Sequence, residues 1–267
     1  MNFEEDARNL VNSIKNDYTN GSMTIARNAI SGLITLLTNH PLVSPQQIEE
    51  VIVKLETSKP SMPSVFNSMK IVKETLWNFN INNFISKISI LLANLEKATE
   101  NTINEAKSFI EKNYHKKEII IATTSYSSTV IKLLDKLCKS CNINVFILKS
   151  IWKSFDYSNS LKEKLISFCR KVEVIDRKQL LLQFDTIDFA LTGADCVVFG
   201  QGIVNGTPTK ELANICKDYS TPFFVVAESI KYTENCKTED GFDFVEFHLI
   251  SKVFSDSIFN TKNSLFA

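Results

Sequence analysis

The sequence predicts an α/β protein in which a helical N-terminal domain, residues 1–116, precedes a mostly parallel sheet domain, residues 117–267. Three observations predict it. Apolar residues recur every three or four positions through the first half, with no strand-like alternation. After about residue 117 the pattern changes to short β-branched runs separated by helical stretches, the arrangement of a parallel sheet covered on both faces. Four of the seven glycines fall between residues 193 and 206, and none lies between 33 and 192. Glycine tolerates positive φ and close approach, and costs about 0.5–1 kcal/mol within regular structure, so the cluster marks tight turns or the floor of a small-molecule pocket.

In the first half, Ile25, Ala29, Ile30, Leu33, Leu36 and Leu37 form one helical stripe. Val51, Ile52, Val53 and Leu55 belong to a second helix that must end before Pro60, because a residue preceding proline is pushed out of the helical region. Leu76 and Trp77 are expected on a third. Phe84, Ile88, Ile90, Leu91, Leu92 and Leu95, followed by Ile103, Ala106, Phe109 and Ile110, read as one or two long helices.

In the second half, Glu118–Thr123 is a run of the kind buried on both faces of a sheet. Val130–Leu137 follows as helix, Ile143–Leu148 as strand, Leu161–Cys169 as helix and Val172–Ile175 as strand. Phe189–Leu191, Val197–Phe199 and Pro222–Val226 supply further strands, completing a Rossmann-like order. Ligands of such sheets bind at the carboxyl ends of strands, where Thr123–Ser128 and Gly193–Asn205 both fall. Phe242–Ile250 mixes aromatic and acidic residues without a period and reads equally as a last core layer or as a surface covered by a partner. Thr261–Ala267 reads as a fraying tail.

Thirty basic and thirty acidic residues cancel, which removes the electrostatic footprint of a nucleic-acid binder. An acidic start without a signal-peptide pattern, and no run of about 18 apolar residues, imply a cytoplasmic protein with no membrane span. Six cysteines and three scattered histidines include a single CxxC, Cys138–Cys141, without the second pair that a zinc site needs. No metal and no cofactor is expected. Gly200, Gly202 and Gly206 do not keep dinucleotide spacing, and no Gly-x-Ser-x-Gly elbow is present, so neither NAD nor FAD binding nor serine hydrolysis is expected.

The candidate chemistry centres on Asp195, at the carboxyl end of a strand, where it could act as acid or base, accept hydrogen bonds from sugar hydroxyls, or simply cap a turn. Thr207 as N-cap and Pro208 at the first helical position suggest a helix whose N-terminus would face the same cleft as an anion site. The hydroxyls of Thr123–Thr129 suit phosphate or sugar contacts, or a capped turn.

These residues together resemble the family of translation initiation factor 2B α, β and δ subunits, which includes archaeal 2B-like proteins, ribose-1,5-bisphosphate isomerase and methylthioribose-1-phosphate isomerase. The resemblance rests on Thr-Thr-Ser-Tyr-Ser at residues 123–127, Gly-Ala-Asp ending at Asp195, then Asn205 and Thr209, and Thr221–Ala227. Asn20–Ala26 is similar to the family's Arg-Gly-Ala segment, and Lys59–Met62 to its Arg-Pro-Thr/Ser segment. It implies ligand contacts from Gly21, Ser22, Lys59, Thr123, Ser125, Asp195, Asn205 and Thr209, with Asp195 catalytic only in an isomerase.

Four departures weaken catalysis and phosphate clamping. Ser125 stands at the isomerases' cysteine, and a hydroxyl is far too weak an acid to replace a thiol in proton transfer. Asn20 replaces an arginine, Gly206 a lysine, and Ile151-Trp152 an Arg-Pro. The resemblance therefore implies a non-catalytic 2B-like subunit, a homodimer or a hetero-oligomer with related subunits, with initiation factor 2 as a further partner and a sugar phosphate or nucleotide as ligand. The alternative is a sugar-phosphate isomerase in which another thiol, such as Cys196, assists Asp195.

Overall fold

The computed structural model describes residues 2–77 and 79–258. The expected tail at residues 261–267 lies outside the described residues. Five helices come first: α1 (Phe3–Lys15), α2 (Ser22–Asn39), α3 (Pro45–Glu56), α4 (Pro63–Glu74) and α5 (Ile81–Asn113). Their ends follow from local chemistry. Asn2 caps α1 by accepting the Glu4 N–H; Ser44 and Gln47 form a reciprocal capping box on α3, with Pro45 in its first turn. The α2 stripe is buried as its spacing requires, and the two candidate helices between residues 84 and 110 are one continuous helix.

Leu76 and Trp77 are a correction: α4 stops at Glu74, Thr75 caps it, and both residues lie in the following turn. Trp77 is 81% exposed, so it contributes an apolar residue to the local pattern without packing into a helix face.

The remaining elements are β1 (Glu118–Thr124), α6 (Ser128–Leu137), β2 (Asn142–Leu148), β3 (Ile151–Trp152), β4 (Phe155–Asp156), α7 (Tyr157–Leu165), β5 (Lys171–Ile175), α8 (Arg177–Leu181), β6 (Phe189–Gly193), β7 (Cys196–Val198), β8 (Gly202–Gly206), α9 (Thr209–Asp218), β9 (Phe223–Val226), β10 (Tyr232–Thr233), β11 (Phe242–Glu246) and β12 (Lys252–Phe254). Six strands form one parallel sheet in the order β12-β9-β6-β1-β2-β5. Counted along the chain, the first three strands step outward on one side of β1 and the last three on the other, so the winding reverses between β1 and β6. This is the switch point at which doubly wound sheets open a crevice at their carboxyl ends.

One face of the sheet packs on α5, α6 and α7 through residues such as Ile103, Leu133 and Leu161. The other packs on α8 and α9 through Leu180 and Leu212. Helix α5 serves two cores, giving Ile88 and Leu95 to the helical half and Ile103 and Ile110 to the sheet half.

The expected strand at Val197–Phe199 spans Cys196–Val198 and does not join the parallel sheet. It pairs antiparallel with β8 in a separate four-stranded sheet of order β10-β7-β8-β11. That sheet also takes in the aromatic-acidic segment, with β11 antiparallel to β8 and Val245 fully buried. Of the four clustered glycines only Gly200 has positive φ, at the β7–β8 turn. Among the described residues no helix is long and apolar enough to cross a membrane, and no group of three or more His, Cys, Asp or Glu could hold a metal ion.

Candidate functional site

A cavity of about 400 Å³ opens at the switch point, between the carboxyl ends of β1 and β6 and the loops before α2 and α4. Its floor comes from the sheet half. Ser125 follows β1 with φ of 62°, Asp195 lies in the tight turn between β6 and β7, and Gly206 ends β8. The fit between these is close: a Cβ at Gly206 would lie 2.5 Å from the Ser125 Oγ.

The Asp195 amide donates to the Val204 carbonyl at 2.9 Å, which holds the turn against β8. Its carboxylate accepts from the amide and hydroxyl of Ser22, the first residue of α2. Burial pushes the Asp195 carboxyl above its ordinary range, and the nearby Glu228 adds to this, while Lys231 and the Ser22 hydrogen bonds oppose it. Beneath the floor, the Lys231 ammonium gives its ion pair to Glu228 at 2.7 Å, both groups being almost fully buried. Glu228 also accepts from the hydroxyls of Thr99 at 2.9 Å and Thr129 at 2.7 Å, so one carboxylate joins α5, α6 and the turn after β9.

The rim comes from loops that range from buried at Lys59 and Ser61 to exposed at Asn20 and Lys153. Asp17, Tyr18, Asn20 and Gly21 lead into α2; Lys59 and Ser61 precede α4; Trp152, Lys153 and Tyr157 belong to the β3–β4 hairpin and the start of α7. Burial lowers the Lys59 ammonium's pKa, against the attraction of Asp17, Glu239 and Asp195. That ammonium donates to the Asp17 carbonyl at 2.7 Å and lies 4.3 Å from the Tyr18 ring centre. Tyr18 packs on Trp152 with ring centres 5.8 Å apart, and the Lys153 ammonium lies 4.0 Å over the Trp152 ring. Trp152 donates its indole N–H to Asp240 at 3.2 Å, and Tyr157 donates its hydroxyl to the Tyr18 carbonyl at 2.9 Å.

Of the residues singled out in the sequence, Gly21, Lys59, Ser125 and Asp195 line the cavity. Ser22 stands just behind it on Asp195. Asn205 and Thr209 are enclosed elsewhere: the Asn205 amide donates to Thr192 at 3.0 Å and to Thr209 at 2.8 Å, and Thr209 donates to the Gly206 carbonyl at 2.6 Å. Thr123 is buried, and its hydroxyl has no hydrogen-bond partner among the described residues. Several other hydroxyls of that run are structural: Thr124 donates to the Leu148 carbonyl, Ser127 caps α6 and Thr129 binds Glu228.

The expected helix start is also corrected. Helix α9 begins at Thr209, Pro208 stands at its cap after a cis Thr207–Pro208 bond, and the Lys210 amide donates to Asp243 at 3.0 Å. Asp243 thus occupies the amide that the Thr207–Pro208 reading offers to an anion. A carboxylate and a helix N-terminus do meet at the floor, but the helix is α2 and its partner is Asp195 itself.

Residues that sequence reasoning missed are Lys15, Lys153, Tyr18, Tyr157, Glu239 and Asp240, all lining the rim, and Trp152, noted in the sequence only as a departure from an Arg-Pro, lines it as well. The cavity holds three lysines, Lys15, Lys59 and Lys153, and four carboxylates, Asp17, Asp195, Glu239 and Asp240. None of the six cysteines lines it. Cys196, next to Asp195, turns away into the small sheet and pairs with Cys236.

A family model described as the initiation factor 2 subunit family matches residues 18–253. A translation initiation factor eIF-2B subunit 2-like protein of Pyrococcus abyssi is 25% identical over 264 residues, covering 96% of this chain and 88% of the relative. The eIF2B subunit alpha of Dictyostelium discoideum is 39% identical over a stretch of 51 residues, which is 19% of this chain and 16% of that protein. Among solved structures, the translation initiation factor eIF-2B of Pyrococcus horikoshii superposes with a TM-score of 0.78 at 21% identity, covering 94% of this chain and 95% of the other. A chain of the tetrameric eIF2B-beta2-delta2 complex from C. thermophilum gives 0.71 at 14% identity, covering 95% and 90%.

Proposed function

Because the chain belongs to the initiation factor 2 subunit family, we propose that it acts as a non-catalytic 2B-like subunit that assembles with related subunits, or with itself, and keeps a reduced pocket for a phosphorylated small molecule. The observation that carries the non-catalytic reading is the floor of the cavity. Ser125 takes the place where the related isomerases hold a thiol, and no other thiol reaches Asp195 from the lining. A carboxylate can carry a proton between two adjacent carbons, but opening the sugar ring and moving the protons of its oxygens needs a second acid, and the lining supplies no thiol for that part.

Three features support a weak anionic ligand. Lys15, Lys59 and Lys153 lie on the cavity wall, Ser125 lines the floor, and the crevice sits where doubly wound sheets take their ligands. The four carboxylates on the same wall oppose this charge, so phosphate affinity falls below that of a site clamped by arginines. The likeness of the fold to a subunit of an assembled eIF2B complex supports the oligomeric part of the reading.

The test has two arms. Thermal stability is measured with sugar phosphates and nucleotides, and each hit is repeated with Asp195→Asn; ligand at about a hundred times its Kd adds roughly 2.7 kcal/mol. Sedimentation then follows the chain alone and with initiation factor 2. Isomerisation of a pentose 1-phosphate that Asp195→Asn abolishes would sink the non-catalytic reading. A strict monomer that ignores initiation factor 2 would sink the subunit reading.

A further inference from the structure

We propose that Cys138 and Cys169 form a dithiol that a hydroperoxide oxidises to a disulfide, a modification site at the far ends of the two helices that start at the cavity. Helix α6 begins directly after Ser125 and Tyr126 of the cavity wall and ends at Cys138, its C-cap. Helix α7 begins with Tyr157 of the rim, and Cys169 lies in the turn that follows it. The two sulfurs are already in contact, 3.5 Å apart. A disulfide needs them at about 2.05 Å, an approach within reach of side-chain rotation and a small helix shift.

Access and reactivity are divided between the two thiols as the reaction requires. Cys138 is half-buried and Cys169 is buried. The contact between the two sulfurs, in which either can donate, holds the Cys138 thiol below its ordinary range, against burial, and with burial raises Cys169. Cys138 is therefore the attacking sulfur and Cys169 the resolving one.

The other pairings are less suited. Cys141 donates to the Leu137 carbonyl at 3.5 Å, turned back on the end of α6. Cys196 and Cys236 also meet through a hydrogen bond, but Cys196 is fully buried and the Cys236 thiol is shared with the Ser61 and Lys237 carbonyls, each at 3.8 Å.

In the first step the Cys138 thiolate attacks an oxygen of the hydroperoxide. The S–O bond forms, the O–O bond breaks, hydroxide or alkoxide leaves, and sulfur is oxidised to sulfenic acid as the peroxide is reduced. In the second, the Cys169 sulfur attacks the sulfenyl sulfur; the S–S bond forms, the S–O bond breaks, and the hydroxyl departs with the Cys169 proton as water. The 31-residue separation of the pair encloses β2, the β3–β4 hairpin and α7. Oxidation thus closes a loop that carries Trp152, Lys153 and Tyr157, one side of the cavity rim.

The reduced full chain is treated with a few equivalents of hydrogen peroxide, remaining thiols are alkylated, and the peptides are mapped by mass spectrometry. The expected product is a Cys138–Cys169 linked peptide that reductant removes. It is lost in Cys138→Ser and in Cys169→Ser and retained in Cys141→Ser. Oxidation should raise Tm by roughly 5 °C, as closing a loop of this length does in a chain of this size. A wild-type map showing only Cys196–Cys236, only sulfinic acid at Cys138, or a Cys138–Cys141 bond overturns the proposal, as does an unchanged or lower Tm; the wild-type map decides even where a serine variant fails to fold.

Discussion

Two carboxylates face the cavity from opposite sides and are displaced in opposite directions. Asp17, on the rim, feels some burial, but the amides of Thr19 and Asn20 and the side chains of both donate to it, and these bonds hold its carboxyl below the ordinary range. Asp195, on the floor, has the Ser22 donors and the attraction of Lys231, and burial still pushes it up. The deeper burial of Asp195 and the larger number of donors at Asp17 together decide the sign. The rim is a self-satisfied polar loop, stable without a ligand, whereas the floor holds a carboxyl under strain of desolvation whose nearest cation is committed to Glu228. Ligand charge should therefore register at the floor first.

The sharpest way to break this contrast lies below Asp195. Lys231→Met strands Glu228 without a counterion in the interior, which should cost about 3–5 kcal/mol in chemical denaturation. Glu228→Gln with Lys231→Met should recover most of that loss; if the single variant is as stable as wild type, the buried pair does not organise the floor. On the rim the effects are smaller. Lys59→Met removes the bond to the Asp17 carbonyl and the contact with Tyr18, an expected loss of about 1–2 kcal/mol with the fold intact by circular dichroism.

The opposed titrations give a third prediction, read as stability against pH. Both carboxyls start from an ordinary value of 3.8. Asp17 is depressed when folded, so its stabilisation is present above that value and is lost as pH falls through the lower folded one. Asp195 is raised when folded, so its contribution is complete below that value and lost as pH rises through the higher one. From acid to neutral pH the stability of wild type relative to Asp17→Asn should grow, and relative to Asp195→Asn should shrink. Parallel trends would show that the two sites do not differ. The smallest effect belongs to Lys153→Ala, an exposed side chain over Trp152, which should change stability by no more than about 0.5–1 kcal/mol while weakening any anion's thermal shift.

Much of this could be read from the residues before any coordinates. Spacing located α2, α3 and α5, β-branched runs located β1, β2, β5 and β9, and the residues after β1 and β6 met in one cavity, as strand ends at a switch point must. What stayed hidden has physical causes. Strand β8 is bounded by Gly202 and Gly206, and glycines read as turns unless the close partner is known; here the Val245 carbonyl lies 2.2 Å from a Cβ placed at Gly202. The rim hairpin has strands of two residues each, too short to show alternation, so Lys153 gave no signal and Trp152 stood out only as a departure from an Arg-Pro. The sequence places the α9 start one residue early because Asp243, 36 residues away from Thr207, takes the hydroxyl of that residue and the Lys210 amide.

The closeness of Gly206 to Ser125 bears on what the cavity floor tolerates. The Ser125 hydroxyl occupies the space a side chain at 206 would enter, so Gly206→Ala sets its methyl group against that oxygen unless Ser125 turns or shifts. An empty position is thus part of the shape of the floor, as much as the groups that are present.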